Sequence, residues 1–247
     1  MSAPPYDRRF YDLLATTADP SAAVVVPMVL ALAPVASVVD VGCGTGGWLA
    51  AFRAHGVEDV LGLDGPWVAE AQLRIPRELF RRCDLAAPLR LARRYDLALA
   101  LEVAEHLPCD RAEGFVADLL SAAPLVLFSA AIPGQGGEGH VNEQWPAWWA
   151  ERFAARGARC LDPFRSVLWH DERVTWWYRQ NMLLFAAAEA LARWPGLAAL
   201  PTADPPRAFV HPALWAIARR RAEPGLGRWL KGFGPALRRS LAGRGWR

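Results

Sequence analysis

Residues 37–47, SVVDVGCGTGG, constrain this chain more than any other stretch. The β-branched run over residues 37–41 reads as a buried strand. The four glycines at 42, 44, 46 and 47 break it, and helical spacing resumes over residues 48–54 before Gly56 stops it. Strand, glycine turn and helix in that order let backbone N–H groups at a helix N-terminus approach a ligand, because no side chain stands in the way. Gly42, Gly44 and Gly47 also satisfy the spacing of a dinucleotide-binding turn. Taken alone, the turn does not choose between cofactors.

The same alternation continues along the chain. Strands are expected at 60–63, 79–83, 95–103, 125–132, 159–161 and 174–185, with helices at 67–73, 110–121 (Asp110 as N-cap) and 144–156. This pattern predicts an α/β fold: a doubly wound, Rossmann-like, mostly parallel seven-stranded sheet with helices on both faces. Ahead of it, Pro20 and Pro27 interrupt an apolar helical pattern, which suggests two short helices as an N-terminal cover over residues 1–36. The expected organisation is that cover, a cofactor-binding domain over 37–190, and a proline-rich linker with a basic tail over 191–247.

At 53% hydrophobic and 21% charged residues, the 247-residue chain can bury a sizeable core, which excludes global disorder. No apolar run reaches the roughly 20 residues that span a bilayer, and residues 1–14 lack a cationic start followed by an apolar stretch, so a cytoplasmic protein is expected. The four cysteines form no CxxC pair and no Cys/His cluster by spacing, so no metal is expected.

Three acids refine the reading of the glycine turn. Asp40 lies inside the first strand. Asp64 ends the second, where a carboxylate can accept both ribose hydroxyls, and Asp84 ends the third, where an aspartate can meet an adenine amine. With VVDVGCGTG at 38–46, GLD at 62–64, CDL at 83–85, YDL at 95–97 and EVAEHL at 102–107, the chain resembles class I S-adenosylmethionine-dependent methyltransferases over roughly residues 35–185. The resemblance implies S-adenosylmethionine as cofactor. Asp40, Gly42, Cys43, Gly44 and Gly46 would hold its methionine end, Asp64 its ribose, and Asp84 with Leu85 its adenine. FSAAIPGQGGEGHVNEQWP at 128–146 and WWYRQNM at 176–182 are similar to a subgroup that accompanies polysaccharide and glycan assembly enzymes.

The resemblance therefore implies methyl transfer to a hydroxyl of a sugar, a glycan intermediate or a small metabolite. A non-methylating enzyme using the same cofactor, or an inactive cofactor-binding module, is the alternative. Polar groups after the fourth and fifth strands should converge where the methyl group is presented. His140, on the glycine-rich loop at 133–143, is the candidate base; His106 and Glu102 are the other candidate catalytic groups. Asn142, Glu143, Trp145 and Tyr178 are candidate acceptor contacts. Strand alternation over 178–181 would point Tyr178 and Gln180 one way and Arg179 and Asn181 the other. Of the twelve tryptophans, Trp145, Trp148, Trp149, Trp176 and Trp177 gather around the candidate acceptor region, where core packing is expected ahead of stacking on a sugar or aromatic acceptor.

From Arg207 onward there are ten basic residues and one acid, and Leu226, Trp229, Leu230, Phe233, Leu237 and Leu241 repeat at helical spacing. Such a tail suits an anionic membrane surface or a cover over the core. Nucleic acid is not an expected partner, because the basic residues do not flank the motifs.

Overall fold

The computed structural model describes residues 8–222, with side chains from Thr16 onward. The amphipathic tail expected from Leu226 lies outside them. Two compact units are present, one up to His211 and one from Pro212. The first contains helix α1 (Arg8–Leu32), then β1 (Ser37–Val41), α2 (Gly47–Ala54), β2 (Asp59–Asp64), β3 (Phe80–Arg82), β4 (Leu97–Leu101), α3 (Ala112–Ala122) and β5 (Leu125–Ser129). It continues through α4 (Pro146–Ala154), β6 (Arg159–Leu161), α5 (Arg165–Leu168), α6 (Trp176–Asn181), β7 (Leu183–Ala186), α7 (Ala188–Arg193) and α8 (Pro195–Ala198). In the second unit, α9 spans Pro212–Ala222.

The seven strands form one sheet in the order β3-β2-β1-β4-β5-β7-β6. β7 runs antiparallel to both neighbours, and every other pairing is parallel. Strands β1, β4 and β5 are buried along their whole length. Alternate residues feed two separate cores: Val38, Leu97, Leu99, Leu125 and Leu127 pack with α1 and α2, while Val39, Ala98, Ala100, Val126 and Phe128 pack with α3 and α4. That two-sided burial is why these strands read as unbroken apolar runs. It also leaves the carboxyl ends of six of the seven strands on one edge, with a change of winding direction between β1 and β4.

Several local expectations are corrected. α1 is one helix through both prolines. Pro20 and Pro27 lie on its exposed side, where a lost N–H bond faces water, while Ser21, Ala22, Val25, Val26 and Val29 form a fully buried stripe. Burying each valine contributes about 1.5–3 kcal/mol, enough to carry the helix across a proline that costs about 3 kcal/mol. Residues 67–73 hold one 3₁₀ turn, Glu70–Gln72, instead of a helix. Asp110 caps nothing: a 3₁₀ turn at Cys109–Arg111 leads into α3, whose N-cap position is Arg111 without a side-chain bond. Residues 174–185 split into α6 and β7, so the strand alternation over 178–181 does not exist. Tyr178, Gln180 and Asn181 are all buried instead. Among the described residues, no helix is long and apolar enough to cross a membrane.

Candidate active site

The glycine turn after β1 is held by backbone geometry that excludes side chains. Gly42 has φ +89°, and a Cβ on it would lie 2.4 Å from a Val103 methyl. Its N–H and that of Cys43 both donate to the Leu63 carbonyl, at 2.8 and 3.0 Å, which stitches the turn onto the end of β2. Asp64 closes the cradle: Oδ2 accepts the Gly44 N–H at 2.7 Å, and Oδ1 accepts the Gly65 N–H at 2.6 Å and the Trp67 indole N–H at 3.0 Å. Burial pushes the Asp64 carboxyl above the usual range, against the pull of those three donors.

Beneath the turn, Asp40 is 2% exposed and its Oδ2 has no hydrogen-bond partner. Burial, and then the neighbouring Asp64 charge, push its carboxyl well above the usual range. An orphaned carboxylate under a ring of glycines fits a cationic ligand, such as the ammonium and sulfonium end of S-adenosylmethionine. Asp84 is exposed just past β3, where Oδ1 accepts the Ala86 N–H at 2.9 Å; Leu85 beside it is half-buried. Two groups near the cradle went unseen in the sequence. Trp67 lies so close over Gly65 that a Cβ there would be 2.1 Å from the ring. Asp19 of α1 packs against Gly47 and pairs with Arg74. Both approach from segments with no motif.

Across the β1–β4 switch a second polar cluster forms. Glu102, directly after β4, adopts φ +56°, a left-handed conformation costly for any residue with a Cβ and found where surroundings over-determine it. Here they do. Its N–H donates to the Ser129 carbonyl at 2.9 Å and hydroxyl at 3.1 Å; Oε1 accepts from Asn181 at 3.1 Å and Oε2 from Gln135 at 2.9 Å. Gln180 ties Gln135 and Asn181 together at 3.2 and 2.9 Å. Burial raises the Glu102 carboxyl despite those donors.

One turn on, Glu105 is fully buried; Oε1 accepts the Ala131 N–H at 3.2 Å, and Oε2 has no N–H or hydroxyl donor. Burial and the Glu102 charge hold its carboxyl well above the usual range. The His106 ring packs edge-on against that of His140, with centroids 4.8 Å apart. Burial, then His140, lowers the His106 imidazole to about 4, while a bond to the Gly139 backbone opposes the shift.

The loop at 133–143 is organised around Glu143. Its carboxylate accepts the Gly134 and Gly136 N–H groups at 2.8 and 2.6 Å and His140 Nδ1 at 2.9 Å. Burial would raise this carboxyl, but those bonds outweigh it and hold it below the ordinary value. Val141 and Asn142 donate their N–H groups to the Glu105 carbonyl at 2.9 and 3.0 Å, which brings the loop against the β4 turn.

Residues 10–179 match the profile of a methyltransferase domain. The chain belongs to that family. The site residues from Asp19 to Glu143 fall inside the match, while Gln180 and Asn181 lie just past it. No curated protein matches. Among solved structures, the chain is similar to S-adenosylmethionine-bound CalS10, an amino pentose methyltransferase from Micromonospora echinaspora involved in calicheamicin biosynthesis. The identity is 16% and the TM-score 0.53, over 76% of this chain and 100% of that one. Streptomyces venezuelae DesVI gives 18% identity and a TM-score of 0.53, over 74% and 99% of the two chains. Human N-acetylserotonin methyltransferase, in complex with S-adenosylmethionine, gives 14% and 0.51, over 72% and 55%. At these identities the likeness is one of fold.

The remaining candidates of this methyltransferase domain take three kinds of place. Trp145 stands 42% exposed at the N-terminus of α4. Asn142 is buried with its Nδ2 unpartnered, while Oδ1 accepts from Gln144 at 3.0 Å. Tyr178 is buried edge-on against Trp48, with its phenol pushed up by burial and by the charges of Glu102 and Asp40. Trp149 belongs to the core, beside Phe128 and the stacked pair Phe153 and Phe185. The helical form of α6 is what delivers Asn181 to Glu102 and Gln180 to Gln135. No period-2 reading could have found that pairing.

Proposed function

We propose that this methyltransferase moves the methyl group of S-adenosylmethionine to a hydroxyl of a sugar, a glycan intermediate or another small metabolite. S-adenosylmethionine is the donor: the glycine turn with the orphaned Asp40 carboxylate accommodates its cationic end, and Asp64 its ribose. The observation that carries the reading is the second cluster, Glu102, Glu105, His106 and His140, across the switch point from that cradle.

As the acceptor oxygen attacks, a C–O bond forms, the S–C bond breaks, and S-adenosylhomocysteine and one proton leave. A sulfonium methyl is already electrophilic, so the protein's part is in-line positioning and removal of that proton. The acidic and imidazole cluster is the place for the proton to go. Trp145 offers an exposed aromatic face for a ring. The amino pentose named for CalS10 is in keeping with a small sugar as acceptor and leaves open the atom that is methylated. We place the reaction in the cytoplasm.

The test is incubation of the full chain with S-adenosylmethionine and fractionated metabolites, including nucleotide sugars, read by mass spectrometry. Products heavier by one methylene, formed together with S-adenosylhomocysteine and carrying the new methyl on oxygen, are expected. Cofactor binding with no transfer to any fraction would favour the inactive binding module, and methylation on nitrogen would remove the hydroxyl reading.

A further inference from the structure

Glu105, His106 and His140 each aim one ligand atom into a common space, and these three atoms lie within 4.8 Å of one another. Donors about 2.0–2.2 Å from a shared tetrahedral ion are about 3.3–3.6 Å apart, so a pair at the outer limit of this cluster would close by about 1 Å, within the reach of side-chain rotation. Glu105 Oε2 is buried with no N–H or hydroxyl donor, and its carboxyl lies against that of Glu102, close enough for the two to share a proton when no cation is bound. Among the described residues, no arginine or lysine lies within ion-pair distance of either carboxylate. Two adjoining carboxyls are thus enclosed with only neutral donors around Glu102 and one backbone N–H on Glu105.

The histidines are prepared in the way metal ligands are. Glu143 accepts from His140 Nδ1 at 2.9 Å and is itself held by two backbone N–H groups, which sets the tautomer that presents Nε2. The Gly139 backbone anchors the His106 ring. A carboxylate or carbonyl behind each ligating imidazole is the usual outer support of such sites. Gly137 leaves room for the ring: a Cβ there would lie 2.2 Å from His140 Nε2.

We propose that Glu105, His106 and His140 bind one divalent first-row transition-metal ion, with the Glu102 carboxyl, held by Asn181 and Gln135, beside them. Two imidazoles with carboxylate oxygen and no thiolate suit Mn²⁺ through Zn²⁺ better than Ca²⁺ or Mg²⁺. The binding site stands on these residues alone. Its use, resting on the hydroxyl reading above, is to bind the acceptor's oxygen and ease loss of its proton, as divalent ions do for water and alcohols. His140 is then a ligand instead of a free base.

The test uses tag-free full chain, stripped with a chelator and titrated with MnCl₂, ZnCl₂ or MgCl₂. Bound metal is counted by elemental analysis after gel filtration, and S-adenosylmethionine affinity is measured on each sample. One Mn²⁺ or Zn²⁺ per chain is expected, with Mg²⁺ weaker. Glu143→Gln should weaken metal binding about 10- to 100-fold, and His106→Ala with His140→Ala should abolish it, cofactor affinity staying intact. Pulsed EPR of Mn²⁺ on the unmutated protein should show coupling to two imidazole nitrogens, a readout that needs no variant to fold. No retained metal, a spectrum without nitrogen coupling, or unchanged metal affinity in the double variant would each overturn the site. Metal retention without methyl transfer would leave the site standing and remove the acceptor reading.

Discussion

The two halves of this sheet edge are built from different kinds of contact. On the β1–β2 side, Asp40, the glycine turn and Asp64 lie within 25 residues of one another, and most of the bonds that join them are backbone N–H to carboxylate or carbonyl. On the β4–β5 side, the cluster draws on residues 102–106, 135–143 and 180–181, and side chains make most of its bonds. A backbone cradle tolerates little sequence variation but needs few long-range contacts to form. A side-chain cluster assembled over 80 residues of chain depends on every loop arriving in place, and so can be remodelled by loop changes while the cradle stays constant. That division suits an enzyme fold in which one cofactor serves many acceptors.

The division predicts that damage to one half leaves the other working. His140→Ala gives the largest effect: turnover should fall by about 10² to 10⁴, whether the imidazole takes the proton itself or holds the ion that eases its loss. Calorimetric affinity for S-adenosylmethionine should hardly change. Near-normal turnover in this variant would mean that methyl transfer proceeds by positioning alone, and the second half would lose its chemical role.

The converse variant is smaller in effect and opposite in kind. Asp64→Ala removes the acceptor for the Gly44, Gly65 and Trp67 donors, and with it the partner proposed for the ribose hydroxyls. Cofactor affinity should weaken by about 1–3 kcal/mol, while turnover at saturating cofactor and metal retention stay close to the unmutated values. Equal losses in cofactor affinity and in metal binding would show that the halves are coupled and that the comparison drawn above is too sharp.

The same contrast explains what could be read from the amino-acid sequence. The succession of strands and helices, the glycine turn, Asp40 and Asp64 follow from short-range pattern, because apolar runs, glycines and strand-end acids are adjacent in the chain. EVAEHL at 102–107 and the histidine loop stood out as polar insertions, and their convergence followed from parallel strands ending on one edge. What stayed hidden was the pairing itself. Spacing showed no metal-ligand set because Glu105 and His140 are 35 residues apart and meet only through the Val141 and Asn142 N–H bonds to the Glu105 carbonyl. The segment at 174–182 misled for a different reason: Trp176, Trp177 and Tyr178 have high strand propensity, but burial of Tyr178, Gln180 and Asn181 together requires a helix. In α1 the error ran the other way, with local proline chemistry overridden by tertiary burial.

The smallest expected effect concerns Asp40, and it tests whether the cradle is strained in the absence of a cation. In the unfolded chain an aspartate ionises near pH 3.9. In the folded protein, burial and Asp64 raise its carboxyl well above that, with Oδ2 left unpartnered. The folded state therefore holds the proton more tightly than the unfolded one. Stability from this group is fully present at pH values below about 4 and is lost as pH rises toward and through the folded value. Asp40→Asn carries no such titration. The ligand-free variant should be about 1 kcal/mol more stable than the unmutated chain near neutral pH, and the difference should shrink as pH falls and vanish below about pH 4, as measured by denaturant unfolding across that range. The unmutated protein should also release a proton when S-adenosylmethionine binds, because the arriving cation favours the ionised carboxylate. Calorimetry in buffers of different ionisation enthalpy reads that release directly, and Asp40→Asn should lose it. A stability difference that does not depend on pH, or proton release that survives in the variant, would mean that Asp40 is already ionised in the empty cradle and that the positive end of the cofactor is met elsewhere, with the Asp19 carboxylate against Gly47 as the next group to test.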